Sequence, residues 1–112
     1  MQIIFAVPIY DDDNTIIGVL NAAVPAKLLS EEIDDIVVGQ TGECYILGLT
    51  GTVIAHKNFD TVTKQRNMIE ESKNNKNLAS LAEFLQHALD TDDSEVGYYD
   101  YDGISNIASY AT

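Results

Sequence analysis

Cysteine occurs once, at Cys44, tryptophan not at all, and 6 basic side chains face 18 acidic ones. A single thiol forms no intrachain disulfide and no cysteine metal cluster. On its own, Cys44 reads as a small buried apolar residue in a strand. The resulting net charge of −12 repels phosphate backbones and anionic membrane faces, so no nucleic-acid partner is expected. No apolar run approaches the roughly 18 residues of a membrane span. Met1-Gln2 followed by IIFAVPIY lacks the basic start and small-residue cleavage site of a signal peptide. The chain as given is therefore expected to be soluble, and it is short enough to be cut from a larger protein. Missing too are G-x-S-x-G, the phosphate loop G-x-x-x-x-G-K-[ST] and G-x-G-x-x-G. Two distant histidines, His56 and His87, and one cysteine fall short of a zinc site. Carboxylate pairs arise in any small domain with this many acids. An enzyme is not expected, and no metal or cofactor is implied.

What is present suffices for one domain with a modest core, since 46% of the 112 residues are hydrophobic. Ile3 to Tyr10 and Thr15 to Val24 are rich in β-branched and aromatic residues, so 3–24 reads as a hairpin over Asp11, Asp12, Asp13 and Asn14. The triplet suggests a calcium loop, but the twelfth position that should hold a bidentate glutamate is Ala22. A turn in which Asp and Asn bond their own backbone fits better. Pro25 sits where a first helical residue would. Leu29, Ile33, Ile36 and Val37 then recur at helical spacing until Gly39. Cys44–Leu47 and Thr52–Ala55 are strand-like about a GLTG turn, and 57–77 is polar loop with a turn or two of helix. Leu78, Leu81, Ala82, Leu85, Ala88 and Leu89 make one helical stripe to about Asp90, with His87 on its solvated flank. Two last strands flank Asp102-Gly103, a strong hairpin signal.

Among residues able to bind, the tyrosines stand out. Tyr45 lies on the middle strand pair, and Tyr99, Tyr101 and Tyr110 on the last, with Tyr98 facing the opposite way. If those two pairs share a sheet, Tyr45, Tyr110 and His56 reach one concave face. Tyrosine combines an apolar body with a hydroxyl, which suits a small polar ligand. The plainer alternative is that the rings cap a half-exposed sheet.

The phrases AVPIYDDDNTIIGVL and VGQTGECYILGLTGTVIAH, in this order and spacing, resemble the Cache family of extracytoplasmic sensor domains. Pro8, Tyr10, Gly18 and Val19 match the first phrase of the family. Gly39, Thr41, Gly42, Tyr45 and the run from Gly51 to His56 match the second. Asn67 and then Tyr101, Asp102, Gly103, Ala108, Tyr110 and Ala111 match the remainder.

The resemblance implies an α+β, PAS-like antiparallel sheet with flanking helices. Residues 1–24 would be a strand pair ending a membrane-distal module, 25–38 a connecting helix, and 39–112 a membrane-proximal module lacking its last strand. It further implies the extracytoplasmic face of a bacterial membrane, as part of a chemoreceptor (a methyl-accepting chemotaxis protein), sensor histidine kinase or diguanylate cyclase. In that setting Tyr45, His56, Tyr99, Tyr101 and Tyr110 are candidate ligand-binding residues, and a homodimer is a possible state. Members that sense amino acids carry an aspartate where this chain has Ala23, so that ligand class is not supported. A non-binding structural or dimerisation module is the alternative, and a small cytosolic enzyme a distant one. Unpaired strand edges in a core are costly. The strand pair at 3–24 is therefore expected to complete the sheet, within the chain or by exchange in a dimer.

Overall fold

A computed structural model describes all residues 1–112. The chain folds first on itself: β1 (Gln2–Tyr10) pairs antiparallel with β2 (Ile16–Pro25), Ile3 opposite Val24 and Ile9 opposite Gly18. The acidic turn is built as the sequence suggests. Asp11 Oδ1 accepts from the backbone N–H groups of Asp13 at 2.9 Å and Thr15 at 2.8 Å. Asn14 takes φ 60°, a left-handed conformation its short polar side chain tolerates. Near the open end, Ile3 is half-buried against the core, whereas Ile4, Phe5, Val7, Val19 and Leu20 are exposed. The projecting hairpin gives a molecule measuring 58 × 30 × 26 Å.

Helix α1 (Ala26–Asp34) starts one residue after the expected position, with Pro25 as its cap rather than its first turn. It also stops short of the Gly39 that the apolar spacing suggests. Its buried stripe is Ala26, Ser30 and Ile33, whereas Ile36 and Val37 are exposed. Those β-branched residues lose side-chain freedom in a helix and here gain no burial in exchange.

Strands β3 (Tyr45–Leu47) and β4 (Val53–His56) form the short middle hairpin. Gly51 closes its turn at φ 82°, donating to Gly48 O at 2.8 Å. Three asparagines then start three helical pieces. Asn58 caps α2 (Phe59–Thr63), Asn67 caps α3 (Met68–Ser72) and Asn75 caps a 3-10 turn over Lys76–Leu78. Each side-chain oxygen accepts an otherwise unpaired first-turn N–H. Arg66 holds Glu71 through one guanidinium edge, Nε donating to Oε1 at 3.0 Å and Nη2 to Oε2. Helix α4 (Ala79–Asp90) buries Leu81, Ala82, Leu85 and Ala88, following the predicted stripe. Strands β5 (Glu95–Tyr101) and β6 (Ile104–Tyr110) turn at Asp102 and Gly103, with φ of 50° and 76°.

The architecture is α+β, antiparallel strands with flanking helices, in keeping with a PAS-like fold. The three strand pairs remain three separate two-stranded sheets. The expectation that 3–24 completes a sheet within the chain is thus corrected. Only 13 of the 112 residues are buried, so packing rests on two small clusters. One is Ala26, Val53 and Val62; the other is Leu78, Leu81 and Leu85 from the start and middle of the α4 region. Leu47 packs against both, making β3 the joint between α1 and α4.

Candidate functional site

Cross-strand register places Tyr45 directly opposite His56. Their rings stack with centroids 5.9 Å apart and planes 22° from parallel. Tyr45 also packs against the leucine cluster of α4. Burial pushes its phenol up to about 12, helped by the nearby Tyr99 and Glu43. Desolvation also raises Tyr99, with the Glu43 carboxylate next in effect. Neutral hydroxyls are therefore retained across the physiological range, each able to donate and accept.

His56 sits where four segments meet. Its backbone N–H donates to Ser30 Oγ of α1 at 3.3 Å, and Ser30 Oγ in turn donates to Ala26 O at 3.2 Å. Its Nδ1 accepts the backbone N–H of Asn58 at 2.9 Å, and Nε2 lies 3.6 Å from Glu43 Oε1. The His56 side chain retains 16% of its exposure and Glu43 48%, so the cluster opens to solvent on the Glu43 side. Beside it, a shallow crevice between α1 and residues 42–44 is lined by Ile33, Asp34, Cys44 and Lys57 among others. It has no room for a water molecule. Cys44 is half-buried and lies just outside β3 rather than within it.

The other predicted site residues divide. Glu95, Gly97, Tyr99 and Tyr101 of β5 stand opposite Tyr110, Ala108, Asn106 and Ile104 of β6. The three tyrosines Tyr99, Tyr101 and Tyr110 consequently share the hairpin face turned toward α4. Tyr99 reaches the Tyr45 cluster and tilts against Phe84 at 5.5 Å. Tyr98 points away and is 74% exposed.

Tyr110 belongs to a different neighbourhood, because it stands opposite Glu95 at the open end of the β5–β6 hairpin, beyond the reach of Tyr45. Its ring meets Phe84 edge-on at 5.7 Å and His87 at 6.2 Å. Its hydroxyl oxygen is covered without a hydrogen bond of ordinary geometry, close to Thr91 and Glu95. Desolvation, and secondarily Glu95, raises its pKa. The hollow there, about 450 Å3, is wide open and lined by Ser94, Glu95, Val96, Ser109, Tyr110 and Ala111.

His87 is not merely solvated: its Nε2 lies 3.0 Å from Glu95 Oε2, joining the end of α4 to the start of β5. That hydrogen bond, more than any other influence, holds the Glu95 carboxyl below the usual carboxylate range. Sequence reasoning missed Ser30, Glu43 and Asn58 in the Tyr45–His56 cluster. The spacing of Ala26, Ser30 and Ile33 carried a signal for Ser30, since a hydroxyl on a buried helical stripe must find a partner. Glu43 and Asn58 carried none that pattern alone reveals.

A model of the family described as Cache domain matches this chain over residues 1–112. No curated protein and no solved structure matches it.

Proposed function

Because this chain belongs to the Cache domain family of sensor modules, we propose that it is an extracytoplasmic ligand-sensing module of a bacterial transmembrane signalling receptor. A small solute binds at the Tyr45–His56 cluster, and α1 carries the resulting shift toward a cytoplasmic output domain. The observation that carries this reading is the junction itself. One half-open group of aromatic and polar side chains touches α1 through Ser30, β3 through Tyr45 and the last hairpin through Tyr99. A solute seated there acts on several elements at once, as coupling requires if two arrangements differ in affinity. Neutral phenols, an imidazole and a carboxylate favour a small polar solute carrying hydrogen-bond donors.

A second reading, a structural or dimerisation module that binds nothing, is favoured by one feature: the crevice beside the cluster does not admit water. A thermal-shift screen with amines, organic acids, amino acids and purines separates the two. A ligand that binds only the native state at about a hundredfold above its Kd adds about 2.7 kcal/mol of stability. A rise in Tm that disappears in Tyr45→Ala or His56→Ala supports sensing. No rise with any class overturns it in favour of the scaffold.

A further inference from the structure

We infer that His56 is a proton-operated hinge between β4 and α2, switching its ring between the Asn58 backbone and the Glu43 carboxylate. The geometry presents two incompatible demands. Asn58 N–H is an unambiguous donor and lies 2.9 Å from Nδ1, so that nitrogen must keep its lone pair. The neutral ring then carries its proton on Nε2, facing Glu43 Oε1 at 3.6 Å, longer than a hydrogen bond. Protonation turns Nδ1 into a donor that confronts the Asn58 N–H, and it makes Nε2 one half of an ion pair. The ring leaves Asn58 and closes on Glu43.

The groups around the ring define what this movement does. The segment before β3 supplies Glu43, and β3 supplies Tyr45, stacked on the ring. Helix α1 supplies the uncharged Ser30, and its Asp34 shares a crevice with Glu43 and Lys57. Helix α2 begins at Asn58, whose side chain accepts from Asp60 N–H at 3.2 Å. From β5, Tyr99 adjoins Tyr45 and Glu43. The charged side chain shown facing the ring is the Glu43 carboxylate, so the environment can accept a cationic ring. Loss of the Asn58 contact frees the 56–58 turn and the start of α2, while the backbone bond from His56 to Ser30 leaves β4 tied to α1. The proton itself is then a stimulus at this junction. That does not rest on a solute binding there: a failed ligand screen leaves the hinge intact, and a failed hinge leaves the ligand reading intact.

The test is an NMR titration of the full chain from about pH 8 to about pH 5, the range in which histidine ordinarily changes charge. It follows the His56 ring and the Asn58 amide together. The expected result is that the Asn58 amide shift moves with the His56 midpoint. Its exchange protection, corrected for the intrinsic effect of pH, falls about tenfold, the loss of roughly one hydrogen bond. In Glu43→Gln the Asn58 response is expected to shrink, because the ring has no carboxylate to close on. An Asn58 amide indifferent to His56 ionisation overturns the hinge. So does a ring that stays neutral throughout, or an Asn58 response undiminished in Glu43→Gln.

Discussion

Tyr45 and His56 face each other across β3 and β4, rings 5.9 Å apart and nearly parallel, with Tyr45 packed on the leucines of α4 and His56 bonded to Ser30 of α1. Two residues thus connect the two halves of a thin core. Removing the Tyr45 ring takes away contact with both the histidine and the leucine cluster. Tyr45→Ala is expected to cost about 3 kcal/mol, as for other truncations of packed aromatic rings. Tyr45→Phe, which keeps the ring, should cost less than about 1.5 kcal/mol. Urea unfolding of the two variants checks this; equal losses would mean that the hydroxyl, not the ring, carries the stabilisation.

The same phenol governs stability in alkali. Its folded pKa is raised from 10.0 to about 12, chiefly by burial. A raised folded value means the native state favours the neutral form. The associated stability is complete below pH 10 and lost as pH climbs from 10 toward about 12. Phenolate absorbance should show Tyr45 ionising late, together with unfolding, beside the also raised Tyr99 and Tyr110. Tyr45→Phe should remove that late step and extend the stable range upward.

Acid acts elsewhere, on Arg66 and Glu71. The paired hydrogen bonds from Arg66 are the largest cause holding the Glu71 carboxyl below its ordinary 4.5. A depressed folded value means the contribution is complete above about 4.5 and lost as pH falls through the folded pKa. Both side chains are more than a third exposed, so solvent limits the effect. Glu71→Gln should therefore flatten the low-pH decline of Tm while changing Tm little at neutral pH. An unchanged acid limb would show that the pair contributes nothing measurable.

Local patterns were legible in the sequence and long-range ones were not. Asp102-Gly103 announced the last hairpin because only left-handed conformations close such a turn, and both residues adopt them. Leu81, Leu85 and Ala88 announced α4 by spacing alone. The extent of α1 was overread because Ile36 and Val37 extend the apolar spacing yet remain exposed. The separation of the strand pairs was invisible, since strand alternation fixes which residues share a face but not which pairs join. For the same reason the sequence could join Tyr110 to Tyr45 and His56 only on the condition that the two hairpins share a sheet, which they do not. The contact between His87 and Glu95 depends on the path of residues 91–94, which periodicity does not describe.

Asn67 secures the turn of β3–β4 to α3 from two directions. Its Oδ1 accepts from Ile69 N–H at 3.1 Å and Glu70 N–H at 3.2 Å, while Nδ2 donates to Thr50 O at 2.7 Å. Gly51 beneath it has no space for a side chain: an added Cβ would lie 2.9 Å from Ile69 Cδ1 and 3.2 Å from Asn67 Oδ1. Asn67→Ala removes both cap and tether and should cost about 2 kcal/mol. Asn67→Asp keeps the cap oxygen but loses the donor to Thr50, so it should recover part of that loss. Chemical denaturation that places Asp no better than Ala would show that the Thr50 tether dominates.

Gly97 marks the closest approach of β5 to α4. A Cβ there would sit 2.8 Å from Phe84 Cε2 and 3.1 Å from Cδ2. Phe84 has little freedom to retreat, being held by Tyr99 at 5.5 Å and Tyr110 at 5.7 Å. Gly97→Ala should therefore push the hairpin off the helix and cost about 1–3 kcal/mol, the usual penalty of overpacking. The penalty comes from one ring, so it should shrink when that ring is removed. In a double-mutant cycle, Gly97→Ala made in a Phe84→Ala background should be nearly neutral. Strict additivity of the two losses would place the strain in the backbone at position 97 instead.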